Sequence, residues 1–310
     1  MGILSMFGLG SCANAQNKES AGNDSTVPNL DSLLTTYKNK PVYYAKYGNR
    51  GCLFELRIND MLTDELTRPK TIGETSTTIN PAILKSGKQT FTVRLYPFPG
   101  ETSITNENPF RLEIGYIDFA MEANEDEIRP WNAVFTLPAI EVPDEGLPYI
   151  ELTGEFEATV PYQIKGCSNC IDLRTLPDIE ERVVREYQYV RELIALKKTK
   201  ELREYFAERD YEAGVTLYES ANDIDNYWNN NIQQKFEKYT KEELQPIEDY
   251  HLVFSGNGRS VSLRSKKKKG KPSALLFIKQ EKGNPNFEFY CIELHLGIKI
   301  GTNKLTAIIM

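Results

Sequence analysis

Four residues near the start, Leu9-Gly10-Ser11-Cys12, set small side chains in front of a cysteine at the end of an apolar stretch. This is the pattern at which a bacterial lipoprotein is cleaved, and it makes Cys12 the expected acylated first residue of the mature chain. The apolar run Ile3 to Leu9 sits at the short end of the ~7 to 15 residues of an h-region, and the first basic residue is Lys18. Two alternatives stand beside this one. Ala13-Asn14-Ala15 is an A-x-A site that would release a chain beginning at Gln16, and a disordered leader with an incidental cysteine needs no processing. Residues Ala13 to Pro28, rich in Asn, Ser, Gly and Ala, have the composition of a flexible tether.

Setting Cys12 aside leaves four cysteines, Cys52, Cys167, Cys170 and Cys291. Cys167-Ser168-Asn169-Cys170 is a C-x-x-C that could close as a small disulfide in an oxidising compartment. A redox pair would want a βαβ setting, and a zinc site would want two further ligands nearby. Neither setting is legible, and the only histidines, His251 and His295, are distant in sequence. Cys52 and Cys291 alternate with apolar residues and are expected to be core thiols. Trp131 and Trp228 are candidate ligand-stacking aromatics, against the commoner use of tryptophan in packing. The 44 acids are too many for any pair to single itself out as glycosidase carboxylates. No nucleophile elbow, zincin helix, P-loop or dinucleotide fingerprint is present in the sequence.

A net charge of -7 over 310 residues argues against a nucleic-acid partner, since phosphate neutralisation supplies non-specific affinity. The basic run Lys266 to Lys269 with Lys271 is expected to be a solvated hairpin loop. No apolar stretch after the leader approaches the ~20 residues of a membrane span, so membrane attachment is expected through lipid alone.

The elements that must position these residues divide by period. Cys52 to Ile58, Phe91 to Leu95 and Ile150 to Val160 alternate apolar and polar, the last with Glu151, Glu155 and Glu157 on its wet side. Gly154 and Gly115 are expected bulges. Thr175-Leu176-Pro177-Asp178 has the form of a capping box, after which Ile179, Val183, Tyr187, Val190 and Ile194 recur at helical spacing. A charged helical stretch follows over 197–209, with a further helix over 224–239. From Tyr250 short strands return between Gly and Asn turns. The expected fold is all-β plus α+β, with an N-terminal antiparallel β-sandwich of jelly-roll or immunoglobulin-like kind, then helices and a C-terminal antiparallel β-meander. The expected divisions are 1–12 for the signal peptide and lipobox, 13–39 for the linker, 40–170 for the β-sandwich and 175–310 for the α+β domain.

Cys52-Leu-Phe-Glu-Leu-Arg-Ile-Asn-Asp60, the stretch Ile79 to Pro97 and the ending Phe289 to Ile309 resemble uncharacterised predicted lipoproteins of Bacteroidota-type bacteria. The resemblance implies no established activity, cofactor or site residue. Together the lipobox, the tether and the missing catalytic constellation point to a non-enzymatic, outer-membrane lipoprotein on the periplasmic or surface face. It would bind a protein partner, in the manner of an immunity protein. The alternatives are a carbohydrate-binding surface lipoprotein using Trp131 or Trp228, and a hydrolase built on His295 and scattered acids.

Overall fold

Period-two alternation builds the first half of the molecule. β1 (Pro41–Asn49), β2 (Cys52–Ile58), β3 (Met61–Leu66) and β4 (Ile72–Thr78) are followed by β5 (Lys85–Pro97), β6 (Phe110–Asp118), β7 (Asn132–Thr136) and β8 (Ile150–Gln163). The computed structural model describes residues 29–120, 128–266, 273–280 and 287–309. The eight strands form two antiparallel four-stranded sheets, ordered β4-β1-β6-β7 and β3-β2-β5-β8. Tyr43, Ala45 and Tyr47 from one and Phe54, Leu56 and Phe91 from the other enter one apolar core. Stacked and edge-on rings of Tyr47, Phe54 and Phe110, with centroids 5.1 to 6.1 Å apart, fill its middle.

On β8 every second residue from Phe156 to Tyr162 is buried and the intervening ones are exposed, as the alternation requires. Gly154 is not the expected bulge. It pairs in register with Phe91, and a Cβ there would lie 2.4 Å from the Phe91 ring, so the glycine makes room for an aromatic side chain. The expectation at Gly115 holds, with the β6–β7 register shifting between Ile114 and Gly115.

The second half has its own core, built on α2 (Ile179–Ala195) and α3 (Thr199–Leu217). Ile179, Val183, Tyr187, Val190 and Ile194 are all buried, as their spacing requires. The capping box does not form. Thr175 closes a short 3-10 turn over Leu173–Thr175 by donating to the Asp172 carbonyl, and α2 starts at Ile179 without a side-chain cap. α4 (Ala221–Tyr227), a π-helical turn (Trp228–Gln233) and α5 (Gln234–Lys238) make one interrupted helix. The C-terminal strands are β9 (Tyr250–Ser255), β10 (Ser260–Ser265), β11 (Leu276–Gln280), β12 (Phe287–Cys291), β13 (Leu296–Ile298) and β14 (Leu305–Ala307).

These strands are antiparallel but do not run as one meander. β14-β13-β10-β9 form one sheet, and β11-β12 stand apart as a two-stranded ribbon, because β10 pairs with β13 across the intervening hairpin. The tether assigned to 13–39 is corrected over its last part. Asn29 caps α1 (Leu30–Thr35), whose Leu30 and Leu34 are one turn apart and buried in the first core.

α3 serves both halves. Leu202 and Phe206 lie in the second core, and Val215 near its other end lies in the first. Asn80, with no exposed surface, donates to the Thr216 carbonyl and to that of Pro41 and accepts from the Tyr43 amide, which fixes α3 against the first half. Ile308 and Ile309 cross back to fill the first core.

Candidate functional site

β7 and β8 are edge strands, one from each of the first two sheets, and they lie next to each other. Phe135 turns inward from β7 onto Phe91 at 4.8 Å and anchors that edge. Between the edges opens a groove of about 450 Å³ lined by Lys88, Val134, Glu155, Phe156 and Glu157. Lys88 reaches the Glu155 carboxylate at 2.8 Å and is paired in strand register with Glu157. Val134, 37% exposed, gives the groove an apolar rim.

The same outward side of β8 continues into a charged and aromatic network. Arg94 pairs with Glu151 at 2.7 Å and with Glu55 at 2.9 Å, and Glu55 in turn holds Arg57 at 2.6 Å. Tyr149 donates to Glu151 at 2.6 Å and packs tilted against Tyr96 with ring centroids 5.4 Å apart, the two rings being 41% and 38% exposed. The hydrogen bond from Tyr149, and after it that from Arg94, holds the Glu151 carboxyl below its usual range. Loss of water around the ring, and then the hydrogen bond to Glu151, pushes Tyr149 up to about 12.

Glu151, Glu155 and Glu157 therefore face water as their alternation required, but the face is laced with Arg94 and Lys88 and is not uniformly acidic. Tyr96, Tyr149, Lys88 and Val134 were not singled out in the sequence. Tyr149 was within reach, because it shares the parity of Glu151, Glu155 and Glu157 one step before the strand begins.

The two tryptophans part company. Trp131 is half-buried on the outer face of the sheet containing β1 and β6. Its indole N–H donates to Glu113 at 2.7 Å, its ring lies against Gly115, Lys46 Nζ sits 3.5 Å from the ring centroid, and Tyr44 is 6.4 Å away. Trp228 is only 2% exposed, packs on Phe206 and donates to Asp210 at 2.7 Å. That burial removes Trp228 as a stacking platform for a ligand, because both of its polar and apolar demands are met inside the second core.

Cys12 and Lys267 to Lys271 lie outside the described residues. Cys167 and Cys170 are free thiols, as are Cys52 and Cys291, so the disulfide expected between the first two is not formed in this structure. Cys167 faces Met61 at 3.9 Å, while Cys170 lies against Gly297. Cys52 is buried and touches the Pro109 carbonyl at 3.3 Å. Burial, followed by the Glu293 charge, pushes the half-buried Cys291 thiol up, with Glu293 3.7 Å away.

His295 is buried, and burial pushes its pKa down to about 4, so the ring is neutral at physiological pH. Among the described residues its Nδ1 has no hydrogen-bond partner. Neither the groove at β8 nor a cavity of about 10 Å³ beside Phe236 and Phe277 is lined by this ring. Among the described residues no three His, Cys, Asp or Glu side chains are grouped to hold a metal ion, and no helix is long and apolar enough to cross a membrane. No family model, no curated protein and no solved structure matches the chain.

Proposed function

We propose that this chain is a non-enzymatic binding protein of the cell envelope, tethered by lipid on Cys12, that receives an extended basic segment of a protein partner in the groove between β7 and β8. The open mouth between two adjacent edge strands carries the proposal. Edge strands expose unpaired backbone donors and acceptors, and an incoming strand satisfies them. Val134 offers apolar contact, and Glu155 and Glu157 offer charge to every second side chain of such a segment. An immunity-type complex with a secreted toxin is one concrete form. The same proposal takes the two sheets as a β-sandwich of jelly-roll or immunoglobulin-like kind, supported by the single core they share.

Capture from detergent-solubilised membranes tests this. The intact chain should retain a stoichiometric protein, and Glu155→Lys combined with Glu157→Lys should weaken retention by roughly tenfold or more through like-charge repulsion. Undiminished retention by the double variant, or no partner at all, defeats the assignment. Mass spectrometry of the mature N-terminus tests the anchor separately, a diacylglyceryl group on Cys12 being expected.

Glycan binding is the second reading, favoured by the placement of Trp131 beside Tyr44 with Glu113 and Lys46 at hand. Loss of glycan-array signal in Trp131→Ala, with the partner still captured, would move the function to that face. The hydrolase reading draws no support from a histidine as buried as His295.

A further inference from the structure

Along a strand the backbone groups alternate as the side chains do, the N–H and C=O of one residue pointing to one neighbour and those of the next pointing the other way. Two contacts fix this order on β8. Val160 donates its amide to Ser86 Oγ of β5 at 2.9 Å, and its carbonyl accepts from that hydroxyl at 2.8 Å. Thr159 turns away from β5, its amide donating to the Tyr43 hydroxyl at 2.8 Å and its carbonyl accepting from it at 3.4 Å. Pro161, which has no N–H to give, shares the parity of Thr159. The neighbouring strand agrees. Thr90 of β5 exchanges bonds with Asn59 on the side away from β8, so Gln89 and Phe91 face β8, where their register partners are Phe156 and Gly154. Glu151, Thr153, Glu155 and Glu157 therefore turn their backbone groups to the open edge, and among the described residues none of those groups has a hydrogen-bond partner.

The outer face beside this edge is graded from end to end. Glu155 and Glu157 share one cation, Lys88, which leaves negative charge to spare there. Toward the other end Arg94 and Arg57 balance Glu151 and Glu55, and the face closes on the exposed rings of Tyr149 and Tyr96. We infer, resting on the proposed capture of a basic segment, that this segment adds to β8 as an antiparallel strand in one register, with two basic side chains beside Glu157 and Glu155 and an aromatic one beside Tyr149. The antiparallel ladder is the stronger per residue. From Glu157 to Tyr149 the added strand spans about 27 Å at ~3.4 Å per residue. The Tyr43 hydroxyl on Thr159 and the ring of Pro161 end it on one side. A second copy of this chain is the wrong guest, because β8 laid antiparallel on β8 sets acids against acids.

The probe is the synthetic peptide Lys-Val-Lys-Val-Thr-Val-Thr-Val-Tyr, carrying a neutral fluorophore and titrated with the full-length chain by anisotropy. Saturable binding is expected. Methylating the backbone nitrogen of the first threonine, which lies opposite Thr153, should weaken binding by roughly tenfold, because that nitrogen donates to β8. The same change on the valine that follows, whose nitrogen points away from β8, should alter it by less than about twofold. Thr153→Pro removes the middle donor at a position where, as at Pro161, pairing with β5 loses nothing, and it should abolish peptide binding. If that variant does not fold, the methylated peptides decide alone. Equal losses at the threonine and valine nitrogens, no binding of the unmethylated peptide, or tighter binding of the reversed sequence overturns the register. Dimerisation of the chain that Thr153→Pro abolishes would give the edge to a second copy and overturn it too. Capture of a membrane protein that depends on Glu155 and Glu157 but survives Thr153→Pro would leave a basic partner in the groove and refute only the strand addition.

Discussion

His295 shows how a residue that could do chemistry becomes a structural one. Its ring is neutral in the folded chain because burial pushes its pKa from 6.5 to about 4, whereas the unfolded chain takes up a proton near pH 6.5. Stability is therefore whole above pH 6.5 and falls as the pH drops toward 4, by on the order of 3 kcal/mol from this one group. Urea unfolding at several pH values should give a shallower acid-side decline in His295→Gln than in the unsubstituted chain. Equal slopes would mean that the ring is not the group responsible. His295 lies in the connection between β12 and β13, where Leu294, His295 and Leu296 are buried in succession, so its burial does not follow from alternation and depends on residues distant in sequence. The tryptophans teach the same thing. Nothing adjacent in sequence separates Trp131 from Trp228, and only the contacts with Gly115 and Asp210 distinguish a surface indole from a core one.

Among elements, α3 carries the clearest conflict between local preference and packing. Gly214 lies within it, where alanine would ordinarily favour the helix by about 1 kcal/mol. A Cβ there would fall 2.8 Å from Leu30 of α1 and 2.9 Å from Ile224 of α4. Gly214→Ala should thus destabilise the protein by about 1 to 3 kcal/mol, because overpacking outweighs propensity. A rise in the unfolding midpoint would show that α1 is not seated on this helix. Elements whose period is strong, such as α2 and β8, were legible with their buried faces. Pairings between distant strands were not. β10 skips the β11–β12 ribbon to reach β13, and a residue-by-residue pattern of alternation is indifferent to which strand lies alongside. α1 was missed because only Leu30, Leu33 and Leu34 in a short polar stretch mark it, and the burial of Leu30 and Leu34 depends on α3.

At the scale of the whole molecule, the two cores are fastened by charge as well as by α3. Arg264 of β10 reaches Glu65 of β3 at 3.0 Å, both side chains about 15% exposed, and it also holds Glu293 at 3.0 Å. Removing one carboxylate from a buried pair leaves the cation poorly compensated. Glu65→Gln should cost about 2 kcal/mol, less than for an isolated buried pair because Glu293 remains. Calorimetry should still record one transition, since Val215, Ile308 and Ile309 couple the halves. Two resolved transitions in the unsubstituted chain would refute the coupling.

The return of Ile308 and Ile309 to the first core also sets a timetable. Synthesis delivers the residues of β1 to β8 long before these two isoleucines leave the ribosome, so the first core cannot close in step with translation.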